Sequence, residues 1–130
     1  MAENCTLGKV MISEEQIRQR VKELGKQITE DYKGKEVLFI GILRGAVLFM
    51  SDLIREVDLD ARIDFMAVTS YGASTKSSGV VRILKDLDSD IEGMDVIIVE
   101  DIVDSGTTLH YLRDYLLGRK PKSLKICAFL

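Results

Sequence analysis

A run of thirteen residues, 96–108, constrains the fold of this chain more than any other feature. It begins with four apolar β-branched residues, Val-Ile-Ile-Val, and continues through an acidic pair to a glycine turn. Short, continuously apolar runs are typical of a strand that is buried on both faces of a parallel sheet. Leucines at helical spacing follow and indicate a helix that begins at about Thr107 or Thr108. The sequence therefore predicts a strand, a tight loop and a helix in direct succession.

The polar residues of this run suit the binding of a phosphorylated sugar. Glu100 and Asp101 come at the carboxyl end of the predicted strand, where open α/β sheets bind their ligands. Three carboxylates within five residues, the third being Asp104, repel one another unless a cation or hydroxyl donors are present. Gly106 allows a turn in which successive N–H groups converge on one anion. The predicted helix adds the positive end of its dipole to the same pocket.

Residues at different distances from the strand end are expected to have different roles. Glu100 and Asp101 leave the strand first, so we expect them at the ribose hydroxyls and at the hydration shell of a Mg²⁺ ion. The main-chain N–H groups and hydroxyls of the next loop are expected to bind the 5-phosphate. The two threonines could equally serve as helix caps, and both roles can coexist. The phosphate-binding candidates are Ser105, Gly106, Thr107 and Thr108.

Length and composition narrow the class of protein. A chain of 130 residues predicts a single domain. Apolar residues make up 46% of the chain and charged residues 30%, and the net charge of −3 argues against a sequence-independent grip on nucleic acid. The apolar stretches are far shorter than the ~20 residues of a membrane helix, so a cytoplasmic protein is expected. Cys5 and Cys127 fit neither a disulfide framework nor a metal site.

The first half of the chain predicts a helix, a strand and a second helix. Ser13 and Gln16 form a capping-box pattern, with Ile12 and Ile17 as a hydrophobic staple, and Gly34 ends the helix. Residues 36–43 are largely apolar and predict a central strand. The next helix opens at residues 45–46. The expected buried stripes are Ile17, Val21, Leu24, Ile28 and Tyr32 in the first helix and Val47, Met50, Ile54 and Val57 in the second.

The second half predicts strands at residues 62–68, 80–84 and 122–130. Residues 70–79 are rich in small polar side chains and are expected to form a mobile loop at the tip of an antiparallel flap. Residues 86–93 form an acidic connection. Alternating strands and helices predict an α/β fold, with a mostly parallel, twisted sheet flanked by helices on both faces. Because the sequence ends inside an apolar run, we expect the domain to be truncated at its C-terminus.

Residues 99–108, Val-Glu-Asp-Ile-Val-Asp-Ser-Gly-Thr-Thr, resemble the phosphoribosyl-pyrophosphate signature of the type I phosphoribosyltransferases. Leu43-Arg44-Gly45 and Ser70-Tyr71-Gly72 look like the hypoxanthine-guanine branch of that family, and the matches span roughly residues 8 to 130. The resemblance implies the type I phosphoribosyltransferase fold. It also implies Mg²⁺-dependent transfer of a 5-phosphoribosyl group from phosphoribosyl pyrophosphate to hypoxanthine or guanine, which gives IMP or GMP and pyrophosphate.

The resemblance also assigns roles to individual residues. Asp104 matches the general base at N7 of the purine. Leu43, Arg44 and Gly45 match the pyrophosphate loop, which commonly has a non-proline cis peptide between the first two of these residues. Many members carry lysine in place of the arginine, so the main chain of this loop is the firmer assignment. Ser70 and Tyr71 match the flap residues that cover the pyrophosphate. Relatives are usually homodimers or homotetramers.

Two alternatives remain open from the sequence. A regulatory member of the same fold could bind the same ligands and act on RNA, although the acidic net charge speaks against it. The chain could also be a ligand-binding but catalytically incomplete fragment. In the family, a lysine, an aromatic stack, a further metal-contacting aspartate and a pyrophosphate-contacting arginine lie beyond the last predicted strand. These groups have no match in the sequence, and base preference stays undetermined.

Overall fold

The structure is a computed structural model that describes residues 13–71, 80–101 and 106–129, with the main chain alone at positions 70, 71, 80 and 107. Ile12, Cys5, Gly72, Asp104 and Ser105 lie outside the described residues or side chains. The elements in chain order are α1 (Glu14–Asp31), β1 (Glu36–Leu43), α2 (Ala46–Arg55), β2 (Asp60–Tyr71), β3 (Val80–Lys85), β4 (Asp95–Glu100), α3 (Thr107–Leu117) and β5 (Ser123–Ala128).

The five described strands form one sheet in the order β3-β2-β1-β4-β5. Every neighbouring pair is parallel except β2 and β3, which are antiparallel. The predicted mostly parallel sheet with an antiparallel flap arm is therefore confirmed. From β1 the chain passes to β2 on one side, and the later strands β4 and β5 extend on the other. The carboxyl ends of β1 and β4 thus form the point at which the strand order reverses, and open α/β sheets bind ligands there.

Alternating side chains of β1 build two cores, one on each face of the sheet. Val37 and Phe39 pack against α1 and α2, whereas Leu38 and Ile40 pack against α3. All four are at most 2% exposed. The strand is apolar at nearly every position because both faces are covered, as the sequence predicts for a central parallel strand.

The start of α1 is confirmed in detail. The Ser13 hydroxyl accepts the Gln16 N–H at 3.1 Å, and the Gln16 side chain accepts the Ser13 N–H at 2.9 Å. The buried stripe is partly wrong, however, because Ile17 remains 39% exposed. It lines a hollow between α1 and α2.

The predicted stripe of α2 is also wrong in part. The buried residues are Ala46, Met50 and Leu53, whereas Val47 is 38% exposed and the helix ends at Arg55. Both sets of positions fit a 3.6-residue repeat, so the pattern alone does not choose between them. Packing decides between them: a Cβ on Gly41 would collide with Met50 Sδ, so the helix packs directly against the main chain of β1.

The strand β2 is longer than predicted, since it begins at Asp60 and continues through Tyr71. Ser70 and Tyr71 therefore belong to a strand and not to the loop, and their main chains pair with Val81 and Val80. Cys127 is buried, as expected, and is a free thiol. Within the described ranges no helix is both long and apolar enough to cross a membrane.

Candidate functional site

The loops that follow β1 and β4 meet at the carboxyl edge of the sheet. A Cβ placed on Gly45 would lie 3.0 and 3.1 Å from the two carboxylate oxygens of Asp101. Gly45 has an ordinary φ of −58°, so its backbone would accept other residues. The absence of a side chain therefore serves the close approach of the Asp101 carboxylate. Two segments that the sequence singled out separately are in direct contact.

Glu100 has unusual electrostatics. Burial, reinforced by the neighbouring Asp101 carboxylate, raises the pKa of Glu100 to about 7. The Asp101 N–H donates to Glu100 Oε1 at 3.3 Å and offsets part of that effect. At neutral pH the Glu100 side chain is therefore partly protonated when no ligand is present. A cation or a sugar hydroxyl donor at this position would favour its charged form.

The donor set fits a magnesium ion that is shared with a substrate. Mg²⁺ is usually held by one or two carboxylates, several waters and substrate phosphates, and not by an all-protein cage. Glu100 and Asp101 supply two adjacent carboxylates. Among residues 13–71, 80–101 and 106–129, no group of three or more His, Cys, Asp or Glu side chains could hold a metal. Glu100 and Asp101 are the described residues of this edge that could hold such an ion.

The amino end of α3 lies next in the chain. Gly106 has φ +83°, a left-handed conformation that glycine adopts without a steric penalty. The helix begins at Thr107, as predicted, and the His110 N–H donates to the Gly106 carbonyl at 2.8 Å. Thr108 is half-buried. Asp104 and Ser105 lie outside the described residues, so their predicted roles stay predictions.

Of the other two predicted segments, the loop after β1 has the expected backbone. The peptide bond between Leu43 and Arg44 is cis, as the resemblance implied, and the Arg44 side chain is exposed. The main chain at residues 70 and 71 forms the last two positions of β2. The roles of all these residues in pyrophosphate binding stay predictions.

Sequence reasoning missed the contribution of β5 to this edge. The Phe129 N–H donates to the Glu100 carbonyl at 3.2 Å, and the Phe129 ring lies 5.4 Å from that of Phe49 on α2. The end of β5 therefore ties the end of β4 to the helix that follows the Leu43 loop. The signal was faint, because an aromatic residue in an apolar run indicates only a core position.

Two hollows among the described residues lie away from Glu100 and Asp101. One hollow of about 380 Å³ lies between α1 and α2, and one of about 530 Å³ lies beside the connection between β3 and β4. Neither is lined by a residue that the sequence singled out as chemical. The chemistry of the carboxylates identifies the sheet edge as the candidate site.

Comparisons with known proteins agree with this assignment. The phosphoribosyl transferase domain family matches residues 11–130. The chain is 54% identical over 127 residues to the hypoxanthine-guanine phosphoribosyltransferase of Mycobacterium bovis, which covers 93% of this chain and 63% of that protein. It is 53% identical over 124 residues to the Bacillus subtilis enzyme of the same name, with 95% and 69% covered. The chain thus spans about two thirds of the length of these curated relatives.

Solved structures show the same fold. A hypoxanthine phosphoribosyltransferase from Staphylococcus aureus superposes with a TM-score of 0.91 at 46% identity, over 98% of this chain and 71% of that one. A hypoxanthine-guanine phosphoribosyltransferase from Bacillus anthracis, with a HEPES molecule in its active site, gives a TM-score of 0.88 at 48% identity, over 93% and 72%.

Proposed function

Because this chain belongs to the phosphoribosyltransferase family, we propose that the protein that contains it transfers a 5-phosphoribosyl group to a purine base. The donor is phosphoribosyl pyrophosphate, the acceptor is hypoxanthine or guanine, and the products are IMP or GMP and pyrophosphate. This is the reaction expected from the sequence and from the names of the relatives, and it belongs to purine salvage. The whole reaction is a proposal, since the chain matches about two thirds of those relatives.

One observation carries the proposal. At the point where the strand order reverses, the Asp101 carboxylate lies against the main chain of Gly45. Burial of Glu100, together with the neighbouring Asp101 carboxylate, raises the pKa of Glu100 to about 7. The edge thus places two adjacent carboxylates at a ligand-binding position of the fold. The hydroxyls of a ribose can donate hydrogen bonds to such carboxylates, and a cation on its pyrophosphate can bind to them.

The chain's own residues then have separable tasks. Glu100 and Asp101 orient the ribose through its hydroxyls and place negative charge near C1 of the sugar, where positive charge develops as the bond to pyrophosphate breaks. The loop of residues 105–108 binds the 5-phosphate, and the main chain of residues 43–45 binds pyrophosphate. Asp104 accepts a proton from the base as its nitrogen bonds to C1. Mg²⁺, when bound, would supply positive charge to the departing pyrophosphate.

The proposal also covers the domain content, the cofactor, the assembly and the residues at the end of β2. We propose a single phosphoribosyltransferase domain over residues 1–130, Mg²⁺ as the cofactor and a homodimer or homotetramer as the assembly. The main chain of Ser70 and Tyr71, at the end of β2, is proposed to cover the pyrophosphate. The cytoplasmic location expected from the sequence stays a prediction.

The test uses the natural gene product that contains these residues. With phosphoribosyl pyrophosphate and Mg²⁺, it should form IMP from hypoxanthine or GMP from guanine at ordinary enzymatic rates, about 1 to 10³ s⁻¹. Adenine serves as the control base, and chelation of the divalent cation should stop product formation. Tight binding of RNA without nucleotide formation would favour the regulatory alternative and contradict the proposal.

A further inference from the structure

The antiparallel strands β2 and β3 form an arm that leaves the main sheet at a defined residue. Ala67 pairs with Leu43, the last residue of β1, and among the described strands residues 68–71 of β2 pair with β3 alone. We call residues 68–71 and 80–83 the arm. An isolated two-stranded ribbon is marginally stable at best, so the direction of the arm depends on what holds its base.

The base of the arm contains a β-bulge. The pairing register shifts between Ala67 and Val68: Ala67 pairs with Lys85 and Val68 with Ile83, which leaves Leu84 without a partner on β2. A bulge bends and twists a strand locally, and a slip of one residue would turn every side chain of the arm to the opposite face. Whatever fixes this bulge therefore also fixes where Ser70 and Tyr71 lie.

Lys85, directly after the bulge, is surrounded by oxygen atoms. Its Nζ donates to the Phe65 carbonyl at 3.1 Å, to the Asp86 carbonyl at 2.9 Å and to Asp88 Oδ1 at 3.3 Å. It also lies 3.7 Å from Asp64 Oδ1. An exposed ion pair between a lysine and one carboxylate contributes little. Here one ammonium group links two segments, because it donates to a main-chain carbonyl of β2, at Phe65, and to one of the connection after β3, at Asp86.

Asp64 completes this arrangement from inside the sheet. Its side chain is nearly buried, at 8% exposed. Oδ1 accepts the Phe65 N–H at 2.7 Å, and Oδ2 accepts the Asp88 N–H at 2.9 Å. Asp64 therefore accepts the Phe65 N–H, and Lys85 donates to the Phe65 carbonyl. Phe65 lies two residues before Ala67, where the bulge begins. Asp64 could have been noticed from the sequence, since it interrupts the apolar residues 63–68 of the strand.

We propose that Lys85, oriented by Asp64, is a positioning residue for the phosphoribosyl transfer. It holds the bulge at the base of the arm and thereby places the main chain of Ser70 and Tyr71 over the pyrophosphate. The inference rests on the proposed function, because it assumes that this end of β2 faces the phosphoribosyl donor. Lys85 itself contacts no reacting atom.

The test removes the ammonium group and then returns it in soluble form. In the natural gene product, Lys85→Ala should lower kcat/KM for phosphoribosyl pyrophosphate by about 10- to 100-fold, the size of effect that a small misplacement of a binding group produces. The KM for hypoxanthine should change by less than about twofold, since the arm does not hold the base. Propylammonium, which matches the deleted atoms, should restore much of the loss. Tetramethylammonium, which has no N–H donor, should not.

A matched variant separates positioning from general destabilisation. Thr29 Oγ1 accepts the Asp58 N–H at 3.0 Å, before the start of β2 and away from the arm. Thr29→Val also removes a side-chain hydrogen bond to the main chain, yet it should leave kcat/KM near the wild-type value at a temperature where both variants are folded. An equal loss in both variants, or a loss that propylammonium does not reverse, would overturn the inference.

Amide hydrogen exchange keeps this inference distinct from the proposed function. Lys85→Ala should accelerate exchange in residues 66–71 and 80–83, whereas Thr29→Val should not. If the wild-type protein forms no nucleotide, the proposed function fails, and the positioning role of Lys85 in that reaction fails with it. If the wild type is active and Lys85→Ala retains both its exchange pattern and its kcat/KM, the positioning role alone is wrong.

Discussion

Glu100 and Asp101 face each other at the carboxyl end of β4, whereas the carboxylates around the connection of residues 86–93 face hydrogen-bond donors. Asp86 accepts from the Leu87 N–H, from the Tyr115 hydroxyl and from the Arg119 guanidinium. In the same region Asp64 accepts two main-chain N–H groups and lies beside Lys85. Both regions are acidic in sequence. We call the second one, around residues 86–93, the compensated region because hydrogen-bond donors offset its negative charge.

The pKa values of the two regions move in opposite directions. Burial raises the pKa of Glu100 to about 7, and the adjacent Asp101 adds to the shift. Burial would also raise the pKa of Asp86, but hydrogen bonds from Tyr115, Leu87 and Arg119 outweigh it and hold that pKa below its ordinary value. Hydrogen-bond donors favour the charged form of a carboxylate and lower its pKa, whereas burial beside a second carboxylate favours the neutral form and raises it.

The largest expected effect concerns the acidic residue assigned to proton transfer. Asp104→Asn should lower kcat by about 10² to 10⁴ because an amide cannot accept the proton of the base. In the compensated region, Asp90 accepts the Glu92 N–H at 3.1 Å, and Asp90→Asn should change kcat by less than about twofold. Steady-state rates of IMP formation measure both. Equal rates for Asp104→Asn and wild type would remove Asp104 from the mechanism.

A smaller effect is expected where the site backbone touches its carboxylate. Gly45→Ala would place a methyl group 3.0 Å from Asp101 Oδ2, so the loop or the carboxylate must move. We expect the affinity for phosphoribosyl pyrophosphate with Mg²⁺ to fall by about tenfold, measured by titration calorimetry. Gly118→Ala, which meets the Tyr115 carbonyl at 3.3 Å, is the control and should bind normally. Unchanged binding by Gly45→Ala would show that the contact between Gly45 and Asp101 tolerates a methyl group.

The opposite pKa directions predict opposite responses to pH in the ligand-free, metal-free protein. The folded state binds a proton at Glu100 more tightly than the unfolded state does, so the free energy of unfolding should fall as the pH rises from about 4.5 through 7. Asp86 has a lowered pKa, so its contribution is present above its ordinary value of 3.8 and is lost as the pH falls below it. Each effect involves at most about one proton.

Denaturant titrations across pH separate the two contributions. Glu100→Gln should remove the decline toward neutral pH, and Asp86→Asn should remove part of the loss in acid. A decline toward neutral pH that persists unchanged in Glu100→Gln would contradict the assignment of the raised pKa to that residue.

The smallest effect is expected from a single hydrogen bond in the compensated region. Tyr115→Phe removes the hydroxyl that donates to Asp86 but leaves Arg119 in place, so the free energy of unfolding should fall by about 1 kcal/mol. Its kcat should be unchanged. Tyr111→Phe retains the stacked rings of the two tyrosines and should be closer to wild type in thermal unfolding. A loss of activity in Tyr115→Phe would link the compensated region to catalysis.

Much of the fold could be predicted because it follows from local patterns. The capping box at Ser13, the strand at residues 36–43 and the start of the helix after Gly106 each depend on a few neighbouring residues. The α2 stripe could not be predicted, because two stripes fit the same period and only contact with Gly41 chose between them. The length of β2 was missed for a related reason, since residues 70 and 71 are held in a strand by pairing with β3.

The sequence by itself determined the order of strands and helices along the chain, the family and the segments that carry chemistry. Each of these depends on residues that are adjacent in the sequence. Tertiary structure alone decided that Gly45 lies against Asp101, that Asp64 and Lys85 meet across the base of the arm, and that Asp86 is compensated by α3. These contacts join residues 21 to 56 positions apart, and hydrogen bonding and charge compensation depend on distances in space.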